Sequence, residues 1–397
     1  MASPTLRLTD HERRTLVALR HDLHRDPELS GHELRTTEKI RAFVEGLPGW
    51  EVVGLPVEVG LVARLSGTPG EGAPYAGAPA EVMLRADIDA LPVDERTDVP
   101  WRSRNAGVMH ACGHDIHAAG LCGAALLLSR AAAEGRPLPT VDLVFQSAEE
   151  TGSGAAALIG AGLFERISPE ICLAVHNCPS VSIGHVVCEP GARMAALRNF
   201  EVVVHGRGGH GSMPHLNADP IVCAAAIVQD LQTVVSRGVD PLVAGLLSIS
   251  MIEGGTPVNR VADDVRMCAT LRSLSDETLD RMAAYVERIV SCVARAHGCA
   301  AEVVWGAVVP AVINDAALAQ RAEAVVRSAG LETASAPPTM VGEDFSRYRD
   351  HVPTFLFWVG TNVGSFRSHE LHDPCYLPSD DAIEPVAHLL AACATTW

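Results

Sequence analysis

Nine residues, Met109-His110-Ala111-Cys112-Gly113-His114-Asp115-Ile116-His117, constrain this chain more than any other segment. They carry a thiol, three imidazoles and a carboxylate, and Ala-rich apolar sequence follows at once. The cluster therefore sits where a loop enters a buried helix. Cys and His are the usual sulfur and nitrogen ligands of a borderline-soft divalent metal. A cation held here would lie in a crevice of the core. The plainer alternative is a His-rich helix start with one core cysteine. Cys112 and His114 are two apart and would point to different sides of a regular helix. They can share a site only where the backbone is not yet helical, a bend that Gly113 allows. His114 with His117, or His110 with His114, has helix-compatible spacing and forms the competing pair.

The surrounding pattern predicts an α/β sheet with covered faces. Thr9-Asp10-His11-Glu12 has the form of a capping box, and the helix it opens stops before Pro27. Further helices are expected at 33–45, 116–133 and 154–162, and strands at 51–53, 57–65, 81–85, 141–145 and 171–175. The Gly/Pro/Ala-rich segment 67–80 reads as a surface loop. Three strands end alike: the first runs into Asp87 and Asp89, the second into Glu149 and Glu150, the third into His176. In open α/β sheets the ligand crevice lies outside such carboxyl ends. These groups can therefore converge near Cys112 and His114. One of the paired glutamates could ligate metal while its neighbour stays available as a general base. A solvated acidic turn is the bland alternative.

The character changes after about residue 191. Strands at 200–205, 242–252, 264–271 and 301–305 and helices at 220–236 and 276–297 follow in the order βαββαβ. That order suits an inserted α+β sandwich of one sheet and two helices. Alternation resumes with a helix at 315–328, a strand at 354–359 and a last helix from about 380. The expected division is 1–192 and 308–397 for the larger domain, with 193–307 inserted. Within the insert, Gly206-Arg207-Gly208-Gly209-His210 is a flexible turn presenting an imidazole. It is not a phosphate loop, since the Lys and helix start are missing. Gly254-Gly255-Thr256-Pro257-Val258-Asn259 is a second such turn, and His372 before Asp373-Pro374 reads on its own as a loop residue.

The totals exclude some partners. A length of 397 residues suggests two domains. The net charge of −17 argues against nucleic acid and against an anionic membrane. Residues 1–5 hold no apolar signal core, and no run approaches the roughly 18 apolar residues of a spanning helix. The expected location is the cytoplasm. The eleven cysteines lack a disulfide-scaffold spacing and are expected to be reduced, most of them as small buried hydrophobes.

Taken in order, these segments resemble the M20 metallopeptidase superfamily, and more narrowly its amidohydrolase branch of hippurate, N-acyl-amino-acid and auxin-conjugate hydrolases. The likeness begins at Leu23-His24-Arg25-Asp26-Pro27-Glu28-Leu29-Ser30 and continues through Arg85–Pro92, Met109–His117, Gln146–Glu150, Gly206–His215, Gly254–Asn259, Gly342–Phe345 and Leu371–Pro374. It implies a zinc-exopeptidase-like catalytic domain, with a mixed central sheet between helices, plus an inserted lid and dimerisation domain. It implies two divalent ions (Zn, Mn, Co or Ni) on Cys112, His114, Glu150, His176 and His372, Cys112 replacing a bridging carboxylate. Glu149 would be the general base and Asp87 would orient the site from behind its ligands. His210 would reach the partner subunit's active site and stabilise the oxyanion, and Asn259 and Arg272 would contact substrate. The implied reaction is hydrolysis of the amide of an N-acyl amino acid or related conjugate by a homodimer. A dipeptidase or carboxypeptidase, and a non-catalytic binding protein on the same fold, are the rival readings. Ser147 stands where the family has Pro, Cys178 where it has an aromatic, and Arg260 adds a charge beside Asn259.

Overall fold

The computed structural model describes residues 6–67, 80–364 and 369–397. The expectations for residues 1–5 and for nearly all of the loop at 67–80 fall outside them. The chain divides into two units. The first comprises Met1–Gly191, Ile313–Pro337 and Asp344–Trp397, the second Ala192–Val312 and Pro338–Glu343.

The first unit is built on an eight-stranded mixed sheet. Its spatial order is Trp50–Val52, Leu61–Leu65, Thr140–Gln146, Glu81–Asp87, Ile171–Ser182, Thr354–Asn362, His185–Val187 and Glu332–Ala334. The middle four run parallel, with Asp87 opposite Gln146 and Trp358 opposite His176. Their carboxyl ends therefore open on one edge. These strands are buried on both faces, which explains near-continuous apolar runs instead of alternation. The strand expected at 57–65 is shortened to Leu61–Leu65, because Gly60 breaks it at φ +86°.

Helix Asp10–Arg25 starts at the expected capping box: Glu12 N–H donates to Thr9 Oγ1, and Thr9 N–H to Glu12 Oε2. Helix His114–Ala133 connects two adjacent parallel strands and packs on Ile383–Thr396. It starts two residues earlier than the apolar pattern suggests. It also corrects the membrane expectation, being long and apolar enough to cross one by length and composition. Its polar first turn and Arg130 interrupt the apolar run without lowering the average enough. Nearly every side chain on it is buried inside the first unit. Gly120 and Gly123 let the partner helix approach: a Cβ on Gly120 would lie 2.1 Å from Val386 Cγ1.

The second unit is a four-stranded antiparallel sheet in the order Gly245–Gly254, Asp264–Ser273, Ala196–His205, Ala300–Val309. Helices Pro220–Gly238 and Asp276–Ala296 bury one face of it, closing a core around Phe200, Val202, Ile227, Met267 and Val286. Asp219 caps the first helix, with Pro220 opening it, and Ser275 caps the second.

Candidate metal centre

The five proposed ligands lie in the first unit and meet at the carboxyl edge of its sheet. Gly113 has φ +81°, so Cys112 stands before the helix and His114 in its first turn. Cys112, His114 and His176 form one compact group, and Cys112, Glu150 and His372 another. Cys112 Sγ is 3.6 Å from His176 Nε2. Glu150 lies with Oε1 3.8 Å from His114 Nε2 and Oε2 3.5 Å from His372 Nε2. Such gaps match the edge of a tetrahedron around a cation, about 3.3–3.8 Å for bonds of about 2.0–2.3 Å. His114 Nε2 and Glu150 Oε1 are buried with no hydrogen-bond partner among the described residues. Orphaned buried atoms of this kind are costly unless something else satisfies them.

The ring orientations suit ligation. His176 Nδ1 donates to the Asn177 carbonyl at 2.9 Å, leaving Nε2 as the lone-pair nitrogen. His114 Nδ1 faces the Asp89 carbonyl and Oδ1 at 3.0 and 3.2 Å, which likewise leaves Nε2 for the site. His117 is different. Its Nε2 accepts the Asn177 N–H at 3.0 Å and its Nδ1 donates to Asp87 Oδ1 at 2.5 Å, so both nitrogens are used. His372 takes φ +69°, unusual for a side chain of this size, while its N–H donates to the Ala111 carbonyl. Glu149 is buried, and its Oε1 accepts the Asp344 N–H at 3.3 Å.

In the second unit, His210 is exposed on a short strand paired with Arg260–Val261. Ser212 N–H donates to its Nδ1, so Nε2 carries the proton outward. Asn259 accepts the Gly211 N–H through its carbonyl, which brings the two Gly-rich turns together. Arg272 is not with them. It stands eight residues beyond Asp264 on the same strand, roughly 25 Å along it. There it donates to the Met340 carbonyl and lines an open groove of about 560 Å³ with Thr270 and Trp305. Arg260 pairs with Asp263 of its own turn.

Residues 83–396 match the sequence profile described as peptidase family M20/M25/M40. The chain belongs to that family. It is 34% identical to the N-acetylcysteine deacetylase of Bacillus subtilis (strain 168) over 380 residues, 96% of each chain. It is 32% identical to the N-acetyldiaminopimelate deacetylase of Anoxybacillus flavithermus (strain DSM 21510 / WK1), covering 96% of this chain and 97% of that one. A Bacillus subtilis crystal structure, described as a dinuclear metal binding peptidase from the M20 family, superposes with a TM-score of 0.81 at 31% identity, covering 98% of both chains. The M20 chain is an amidohydrolase with the fold of that dinuclear member.

The electrostatics of the M20 site call for positive charge. Burial, then Glu150, lifts the Cys112 thiol well above its ordinary range. Burial, with Asp89 and Asp87 overcoming His114, pushes Glu150 up to about 7. Burial opposes protonation of His114, but Asp87 and Cys112 outweigh it and raise its pKa well above the ordinary value. Burial, then His117, holds His176 neutral with a pKa near 3. Thiolate, carboxylates and neutral imidazoles are the ligand forms, and divalent cations would stabilise all of them together.

Sequence reasoning named Asp87 as an orienting residue and counted Asp89 among the converging acids without assigning its contact; the parts played by Arg85 and Asn177 it overlooked. Asp89 is the carboxylate that touches His114, and its Oδ2 also accepts the Glu150 N–H at 3.0 Å. Asp87 reaches His117 and lies 3.8 Å from His114 Nε2. Behind it, buried Arg85 bonds Asp87, Gln146 and Asp344. Asn177 Nδ2 donates to the carbonyls of Cys112 and Gly113 at 3.1 and 3.0 Å. Its place directly after His176 was the available signal.

Proposed function

We propose that this M20 amidohydrolase releases the amine from small N-acyl amino acids, using two divalent cations held by Cys112, His114, Glu150, His176 and His372. The observation that supports the ligand set is that buried His114 Nε2 and Glu150 Oε1 lack a hydrogen-bond partner among the described residues while grouping with Cys112, His176 and His372. Bound cations would polarise the acyl carbonyl and acidify the attacking water. Glu149 takes the water's proton and returns it to the leaving nitrogen, and the Asp344 N–H on Oε1 fixes the carboxylate for that task. Thiolate, imidazole and carboxylate together suit Zn, Mn, Co or Ni. The likeness to an N-acetylcysteine deacetylase and an N-acetyldiaminopimelate deacetylase supports an acetyl group as the acyl part.

The reading extends to a cytoplasmic homodimer joined through the inserted unit. Among the described residues strand Gly245–Gly254 is a sheet edge with no neighbour on one side, Ile252 is exposed on it, and Ile221 and Val222 are exposed at the start of helix Pro220–Gly238 in the same unit. His210 belongs to the short strand paired with Arg260–Val261, whereas Arg272 stands near the far end of the separate strand Asp264–Ser273, so we read them as serving one active site from different copies.

The test is amine release from a panel of N-acetyl and N-benzoyl amino acids, set against free dipeptides, with and without chelator. Chelator-sensitive turnover of the acylated substrates is expected. Faster cleavage of dipeptides would move the protein to the dipeptidase reading. A Glu149→Gln variant should keep its metal and lose most turnover; near wild-type rates would remove Glu149 as the base. Sedimentation should give a dimer, and a monomer with full activity would sink the shared-site reading.

A further inference from the structure

The turn that carries Glu149 and Glu150 is held in an unfavourable shape. Ala148 has φ +54°, a left-handed conformation disfavoured for a residue with a Cβ. The turn is also closed tightly, since the Ala148 carbonyl accepts from the N–H groups of Ser153 and Gly154 and from Thr151 Oγ1. A Cβ on Gly154 would lie 1.7 Å from the Ser147 carbonyl oxygen. A further support lies outside the turn.

That support comes from the segment just after the first helix. Glu33 occupies the N-cap position of helix Leu34–Glu45, yet its side chain makes no cap for that helix. The carboxyl is wholly buried, and its Oε1 accepts the Ala148 N–H at 2.8 Å. Three residues earlier, Ser30 Oγ donates to Asp89 Oδ2 at 2.6 Å, the same oxygen that receives the Glu150 N–H. Both ends of the Ala148–Glu150 turn are therefore tied to residues 30–33, one directly and one through Asp89. Besides backbone bonds within residues 31–33, the buried carboxyl spends an oxygen on the remote Ala148 N–H.

We infer that Glu33, seconded by Ser30, is a positioning residue that locks the left-handed Ala148 turn and so aims the Glu149 carboxylate at the reacting water. The inference rests on Glu149 being the base, as proposed above. It adds that the base is aimed by a side chain that touches neither metal nor substrate.

The test compares Glu33→Ala, Glu33→Gln and Glu149→Gln in the full-length metal-loaded protein. Glu33→Ala should lower kcat roughly 10- to 100-fold, the loss expected when a reacting group is misplaced by about 1 Å. KM should stay within about threefold and the metal content should match wild type. Glu33→Gln keeps an acceptor for the Ala148 N–H and should restore kcat to within about fivefold. A general loss of folding would lower thermal stability and would not be rescued selectively in kcat. Unchanged kcat in Glu33→Ala overturns the inference, as does a Glu33→Gln variant that folds and binds metal but is as slow as Glu33→Ala. Full activity in Glu149→Gln would instead overturn the base assignment, whatever the Glu33 variants do.

Discussion

Replacing Gly113 with alanine would place a methyl group 2.2 Å from Asn177 Nδ2, well inside contact distance. The backbone there has φ +81°, so the alanine also bears the left-handed cost of about 1–2 kcal/mol. Asn177 would have to move, breaking its bonds to the Cys112 and Gly113 carbonyls, each worth about 0.5–1.5 kcal/mol. The expected destabilisation is about 2–5 kcal/mol. Displacing the Cys112 carbonyl also tilts a proposed metal ligand, for which a loss of about 10–100-fold in metal affinity is typical. Denaturant unfolding with a probe in the first unit measures the first effect, and competition with a fluorescent chelator the second. An Asn177→Ala change removes the obstacle, so the double variant should be no less stable than Gly113→Ala alone. A Gly113→Ala cost below about 0.5 kcal/mol, or strictly additive effects in the double variant, would refute the reasoning.

Stripping the metal with a chelator should lower the thermal midpoint, and re-adding Zn or Mn should restore it in a concentration-dependent way. Scanning calorimetry reads this directly. Gly120→Ala should destabilise by about 1–3 kcal/mol through overpacking, despite up to about 1 kcal/mol gained in helix propensity. Val386→Ala in the same chain should recover part of that loss, because Val386 is the obstacle. Burial opposes the charge on His24, but Asp115 and Glu95 outweigh it and raise its pKa to about 9. A raised folded-state value adds stability that is complete below about 6.5, the unfolded value, and is lost as pH rises through about 9. Chemical denaturation of His24→Gln against wild type from pH 6 to 10 should show the gap closing upward; a constant gap would exclude His24 as the cause.

Local order made part of this site readable. Apolar strands that end in acids or His are visible residue by residue, and parallel pairing puts those ends on one edge. The bend that lets Cys112 and His114 share a site was legible in a single glycine. What each acid does was not. Strand alternation assigns faces only within a strand, and Glu81–Asp87 ends before Asp89, so nothing local says which carboxylate meets His114. Glu33 acts 115 residues away in sequence, across a contact that no periodicity encodes. Arg85 reads as one more strand residue until the fold places Asp344, 259 positions later, beside it. Helix His114–Ala133 meets the length and composition of a span, which the sequence reading missed, for a related reason: burial inside a protein and burial in lipid ask for the same composition.

Four of the five proposed ligands are buried or nearly so, whereas about half of the His372 side chain faces solvent. Water and small chelators thus meet one donor first. Ion exchange should start with the release of that imidazole, and the off-rate should depend on it far more than on Cys112 access. A His372→Ala variant that sheds radiolabelled zinc no faster than wild type would show that ions leave by another route.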